Sequence, residues 1–132
     1  MRICAVGREE AEVLKERARL FLDAAKDDLR AGRFDLAAFH SEQAAQLALR
    51  YLLASTTGYY PHTHSLATLF EQVKELRSDL WKLYLDNRMA FEVMEDAYLG
   101  GRYLPRRYAK EVAEHLVKIA EKVVELCTSS TT

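Results

Sequence analysis

RFDLAAFHSEQAAQLALRYL, residues 33–52, is the stretch on which the fold turns. Its apolar residues lie on most sides of a helix rather than on one. Alanines at 37, 38, 44, 45 and 48 are small enough to let neighbouring helices approach closely. A helix that is apolar nearly all round belongs inside a protein, so residues 33–55 are expected to form the central helix of a bundle. Only Glu42, Gln46 and Arg50 interrupt it, as a polar stripe at four-residue spacing.

Outward from that helix, the flanking segments read as its covering. Residues 9–31 repeat Leu14, Ala18, Phe21, Leu22, Ala25 and Leu29 at three- and four-residue steps, and Gly32 is a natural stop. Residues 55–64, STTGYYPHTH, hold Gly58 and Pro61 and predict a loop. A short helix follows over 66–77, capped by Ser65 or Thr63. The next is expected over 80–98, capped by Ser78 or Asp79, with Leu80, Tyr84, Phe91, Met94 and Tyr98 as an aromatic-rich face. Gly100 and Gly101 should stop it. The last helix is expected over 108–127, with fraying beyond. The fold class is therefore all-α, an up-and-down bundle of four or five helices, and residues 1–132 read as a single domain with an ordered core over about 9–127.

Composition narrows the function. Nineteen basic against twenty acidic residues leave a net charge of -1, so only a local patch could serve nucleic acid. No DNA-specific motif is present. No apolar run approaches the ~20 residues of a membrane span, and no secretory signal precedes the first helix, so a cytoplasmic location is expected. Cys4 and Cys127 lie near opposite ends without metal-ligand spacing and read as reduced thiols.

Two stretches resemble a known family. Residues 33–52 carry aromatic-x-x-Ala-Ala-aromatic-x-x-x-Gln-Ala-Ala, and residues 94–113, MEDAYLGGRYLPRRYAKEVA, carry an acidic residue followed by an Arg-Tyr pair. His64-Ser65-Leu66 adds a third element. Together they are similar to the HEPN domains, nucleotide- and RNA-associated helical bundles. The resemblance implies a dimer, and it implies nucleotide or RNA as a ligand. It also suggests, as a protein partner, a separately encoded minimal nucleotidyltransferase of the toxin–antitoxin type. Catalytic members carry an arginine, four to six intervening residues, and then a histidine. Arginine steadies charge on the scissile phosphate and histidine moves a proton. Arg102 stands where the arginine belongs, but the histidine's places hold Arg107, Tyr108 and Ala109. The enzyme reading is therefore disfavoured. Were the chain a metal-independent ribonuclease, Arg102 would need an atypical proton carrier, Tyr108 or His64.

The remaining histidines are read plainly. Arg33 and His40 match the arginine–histidine separation, but both belong to the packing face of the central helix. His40 is expected to be part-buried with a hydrogen-bond partner. His62 and His64 lack a third ligand for a metal, and His115 is expected on a solvated face. Glu92, Glu95 and Asp96 form a carboxylate cluster, but Glu92 and Glu95 are expected to face water rather than hold magnesium. No metal or cofactor is predicted.

The best ligand-binding candidate is GGRYLPRRYAK, residues 100–110. Arg102, Arg106, Arg107 and Lys110 put four positive charges in nine residues, interleaved with Tyr103 and Tyr108. Guanidinium forks grip phosphate oxygens, tyrosines stack on bases, and the following helix offers free N–H groups. Arg102 paired with Asp96 as a simple brace is the competing reading. An up-and-down count places this loop at the same end as Tyr59, Tyr60 and His64, so His64 is counted with the site. A homodimer is expected from the apolar excess of the central helix and the aromatic face of the 80–98 helix.

Overall fold

A computed structural model describes residues 3–103 and 107–129 of the chain. Among them the order is β1 (Ile3–Ala5), α1 (Arg8–Arg30), α2 (Phe34–Thr57), β2 (Tyr59–Pro61), α3 (Leu66–Val73), α4 (Ser78–Asp86), α5 (Arg88–Tyr103) and α6 (Lys110–Thr128). The architecture is an all-α bundle built around α2. That helix buries Ala37, Ala38, Ala44, Ala45 and Ala48 completely and packs against α1, α3, α5 and α6. Alanine gives it four helical neighbours because no side chain holds them off.

The turn between α1 and α2 follows from Gly32. Its φ of 77° is the left-handed conformation that closes a helix. The Gly32 N–H reaches the Leu29 carbonyl at 3.2 Å, and Arg33 N–H reaches Asp28 O at 2.8 Å. Gly58, with φ of 81°, ends α2 in the same way. Beyond it, β2 pairs antiparallel with β1, Ile3 opposite Pro61 and Ala5 opposite Tyr59. This ribbon of three-residue strands was not foreseen, because three residues carry no readable alternation.

The expected 80–98 helix is two helices. Asn87 donates its side-chain amide to the Leu83 carbonyl at 2.9 Å and leaves helical conformation, ending α4, and α5 starts at the next residue. Side chains that bond the local backbone compete with the helix, and here one does. Neither Ser78 nor Asp79 caps α4; the N-cap is Arg77, whose guanidinium bonds both Asp79 carboxylate oxygens at 3.0 and 2.8 Å. That fork holds Asp79 below the usual carboxylate range. Gly100 and Gly101 do not stop α5, which runs to Tyr103.

The 59–65 segment does not simply hop to the next helix. It doubles back along α2, so that His64 O lies 3.4 Å from the Nε2 of Gln46, a residue twelve positions before Gly58 at the end of that helix. α3 then runs in the same sense as α2, bringing Gln72, Glu75 and Leu76 to Leu53 and Thr57. Ser65 caps it, accepting from Thr68 N–H at 3.2 Å. Phe70, Tyr84 and Phe91 pack with ring centroids 4.7 to 5.7 Å apart, so the aromatic face of α4 and α5 is spent inside the chain. Cys127 is buried and free, its thiol pushed up to about 12 by burial, which makes it unreactive.

Candidate nucleotide site and the polar row of the central helix

The N-terminal end of α2 meets the start of α6. There Gly32, Phe34, Asp35, Arg107 and Tyr108 line a recess of about 260 Å³. Neither helix has a side-chain cap: the N-cap residues Arg33 and Ala109 make no such bond. Both helices therefore offer first-turn N–H groups and the positive end of a dipole. Arg107 and Lys110 are exposed beside them, and Tyr108 is part-buried against the main core. The side chains of Arg102 and Tyr103, and the whole of Arg106, lie outside the described residues, so the expected Arg102–Asp96 pair does too.

His64 is not at this recess. It faces the middle of α2, where Gln46 is about 18 Å further along the helix axis than Phe34 at 1.5 Å per residue. Tyr59 and Tyr60 lie beyond the far end of α2. Arg107 and Tyr108, at the end of the 100–110 segment, thus stand at the N-terminal end of α2, whereas His64 stacks on Tyr98, one helical turn before Arg102. Doubling back of residues 59–65, together with the break at Asn87, removes the parity on which a simple up-and-down count depends. Tyr108 and His64, the alternative proton carriers of a ribonuclease reading, therefore lie at different places along α2.

What the sequence shows as a polar stripe on α2 is a buried row. Glu42 has no exposed surface and Gln46 has 3%. Glu42 Oε1 accepts from Gln43 Nε2 and its Oε2 from Gln46 Nε2, each at 2.7 Å. Burial raises the Glu42 pKa to about 7; the amide hydrogen bonds pull it down, the nearby Glu95 carboxylate adds to the rise, and Arg50 opposes it. Gln46 Oε1 lies 3.2 Å from His64 Nδ1, and Arg50 reaches the same nitrogen at 3.4 Å while donating to Thr63 O at 2.6 Å. The His64 ring stacks on Tyr98 at 5.5 Å, and Tyr98 in turn stacks on Phe39 at 6.3 Å. The spacing of Glu42, Gln46 and Arg50 was legible; the cover that buries them was not.

Other candidates resolve into structure. His40 Nδ1 lies 2.6 Å from Asp28 Oδ2, and Arg33 Nε donates to Asp28 Oδ1 at 2.9 Å. The arginine–histidine pair of matching separation is therefore a brace around one buried carboxylate. Glu95 accepts from the Leu66 N–H at 2.7 Å and so caps the start of α3. Glu92 and Asp96 are exposed, as are His62 and His115. Among the described residues no cluster of His, Cys, Asp or Glu could hold a metal ion, and no helix is long and apolar enough to cross a membrane.

Against known proteins, the sequence profile of the HEPN domain matches residues 11–130, nearly the whole chain. The chain belongs to the HEPN family. No curated protein sequence matches it significantly. At the level of the family, this HEPN protein is a nucleotide- or RNA-related helical module. The match begins at Ala11 and ends beyond α6, so it includes β2 and leaves out β1.

Proposed function

We propose that this HEPN protein binds the phosphate of a nucleotide or of an RNA end in the recess between α2 and α6. The observation that carries the reading is the meeting of two uncapped helix N-termini with Arg107 in one polar hollow. Each part suits a piece of a nucleotide. The helix N–H groups and the Arg107 guanidinium take phosphate oxygens, Phe34 and Tyr108 offer faces for a base, and the Asp35 carboxylate accepts from a hydroxyl or amino group. At about 260 Å³ the hollow is at the low end of small-molecule sites, roughly 300–1,000 Å³. It takes a phosphate and its neighbouring groups, not a length of duplex. In this reading Arg102, Arg106 and Lys110 add positive charge and Tyr103 a further aromatic face.

The protein then acts as a binding and interaction module rather than as a nuclease. A second copy and a separately encoded minimal nucleotidyltransferase, in a toxin–antitoxin arrangement, are its proposed partners. The surface for a second copy is not α2 or the α4–α5 aromatics, which are consumed internally. It is the apolar strip between α5 and α6, where Met89 and Val112 are exposed and Val93 is part-buried between them. The test is titration with AMP and with a short single-stranded RNA at two salt concentrations. Arg107→Ala with Lys110→Ala should weaken binding at least tenfold and flatten its salt dependence, with the RNA left uncut. Affinity indifferent to both the salt and the double substitution would overturn the assignment.

A further inference from the structure

The polar row of α2 ends on an exposed imidazole that is held between two opposed partners. Gln46 Oε1, an acceptor, lies 3.2 Å from His64 Nδ1 and calls for a proton on that nitrogen. An Arg50 N–H, a donor, lies 3.4 Å from the same nitrogen and calls for a lone pair there. A neutral imidazole carries one ring proton, so it can satisfy only one of them. The ring is poised, and a small push decides between its two forms.

That push is available from below. Gln46 Nε2 donates to Glu42 Oε2 at 2.7 Å, which fixes the amide so that its oxygen faces His64. The arrangement suits an ionised Glu42, which only accepts. A protonated Glu42 carries an O–H that needs an acceptor, and the Gln46 amide supplies one by turning over. Its NH2 group then faces Nδ1, which must become the bare nitrogen. We propose that Glu42, Gln46 and His64 form a relay in which the proton on the buried carboxyl sets the tautomer of the exposed imidazole. With Glu42 ionised, His64 carries its proton on Nδ1; with Glu42 protonated, it carries it on Nε2.

The surroundings make the carboxyl a usable switch. Among the described residues the ionisable groups near Glu42 are Arg50 on its own helix, Glu95 on α5 and His64 on the β2–α3 connection. None touches its oxygens, which meet only the two glutamine amides. Full burial without a contacting cation is what brings its titration to about 7, within the physiological range. The relay belongs to the free protein and does not rest on nucleotide binding at the α2–α6 recess.

The test needs no ligand. At pH 8.5 an ordinary imidazole, with a pKa of about 6.5, is neutral, so 15N shifts of labelled histidine report its tautomer directly. The wild-type chain should show His64 predominantly as Nδ1–H. Glu42→Gln places a permanent donor where the protonated acid would stand, and should move His64 to predominantly Nε2–H. Gln46→Ala removes the link, and should abolish the Nδ1–H preference while Glu42, followed by its 13Cδ shift, still titrates, at a higher pH than in the wild type because one of its amide donors is gone. His62 and His115, outside the relay, serve as controls and should not change. An unchanged His64 tautomer in either folded variant overturns the proposal. Failure of nucleotide binding at the α2–α6 recess leaves it standing, so the two claims are separable.

Discussion

Two carboxylate–histidine arrangements each have one member on α2, and their difference is instructive. Asp28 and Glu42 are both buried, with 5% and 0% exposure. Asp28 touches its histidine directly and is also gripped by Arg33, so a cation answers the charge at contact distance. Glu42 meets only amides and reaches His64 through Gln46. The first arrangement is a brace: it ties the end of α1 to the start of α2 around the Gly32 turn. The second leaves the charge answered by dipoles alone, and burial then drives the carboxyl towards neutrality. What separates a structural carboxylate from a proton-responsive one is therefore the neighbour within 3 Å, not the depth.

The contrast can be broken from the brace side first. Asp28→Ala removes a buried carboxylate whose partners, His40 part-buried and Arg33 half-exposed, are left unanswered, and should cost about 1 to 3 kcal/mol in urea unfolding. A loss below about 1 kcal/mol would mean that the pair is ornamental.

The Glu42 side predicts a slope rather than a fixed loss. Its folded pKa of about 7 lies above the ordinary value of 4.5, so the fold favours the protonated form. This group's contribution is fully present below 4.5 and is lost as pH rises through 7, by at most about 3 kcal/mol. Glu42→Gln should remove that slope and leave the variant more stable than wild type at pH 8.5. Parallel stability curves for the two proteins would show that the carboxyl is already charged in the fold.

A smaller effect sharpens the placing of His64. Ser65→Ala removes the cap that starts α3 next to it and should cost about 1 kcal/mol. Least of all in stability, Arg107→Ala should change the unfolding free energy by less than about 0.5 kcal/mol, because the side chain is exposed.

Much of this was legible in the chain. The alanines of residues 33–52 announced a central helix, Gly32 its boundary and Ser65 the cap of α3. The break at Asn87 was not, because Leu80, Tyr84 and Phe91 keep helical spacing across it while one amide bonding the Leu83 carbonyl ends α4. The course of residues 59–65 was hidden for a related reason. It is set by contacts from Arg50 and Gln46 to Thr63 and His64, thirteen and eighteen residues apart in sequence, and periodicity carries no such information. The site divides in the same way: charge density pointed to Arg107 and Lys110, whereas the burial of Glu42 depends on the segment that folds over it.

The nucleotide recess is best tested by mapping backbone amide shifts while AMP is added. The earliest and largest changes should fall on Phe34, Asp35, Tyr108 and the first turn of α6, and Arg107→Ala should suppress them. Shifts centred on the α5–α6 groove, or on no contiguous surface, would contradict a phosphate-binding role for the paired helix N-termini.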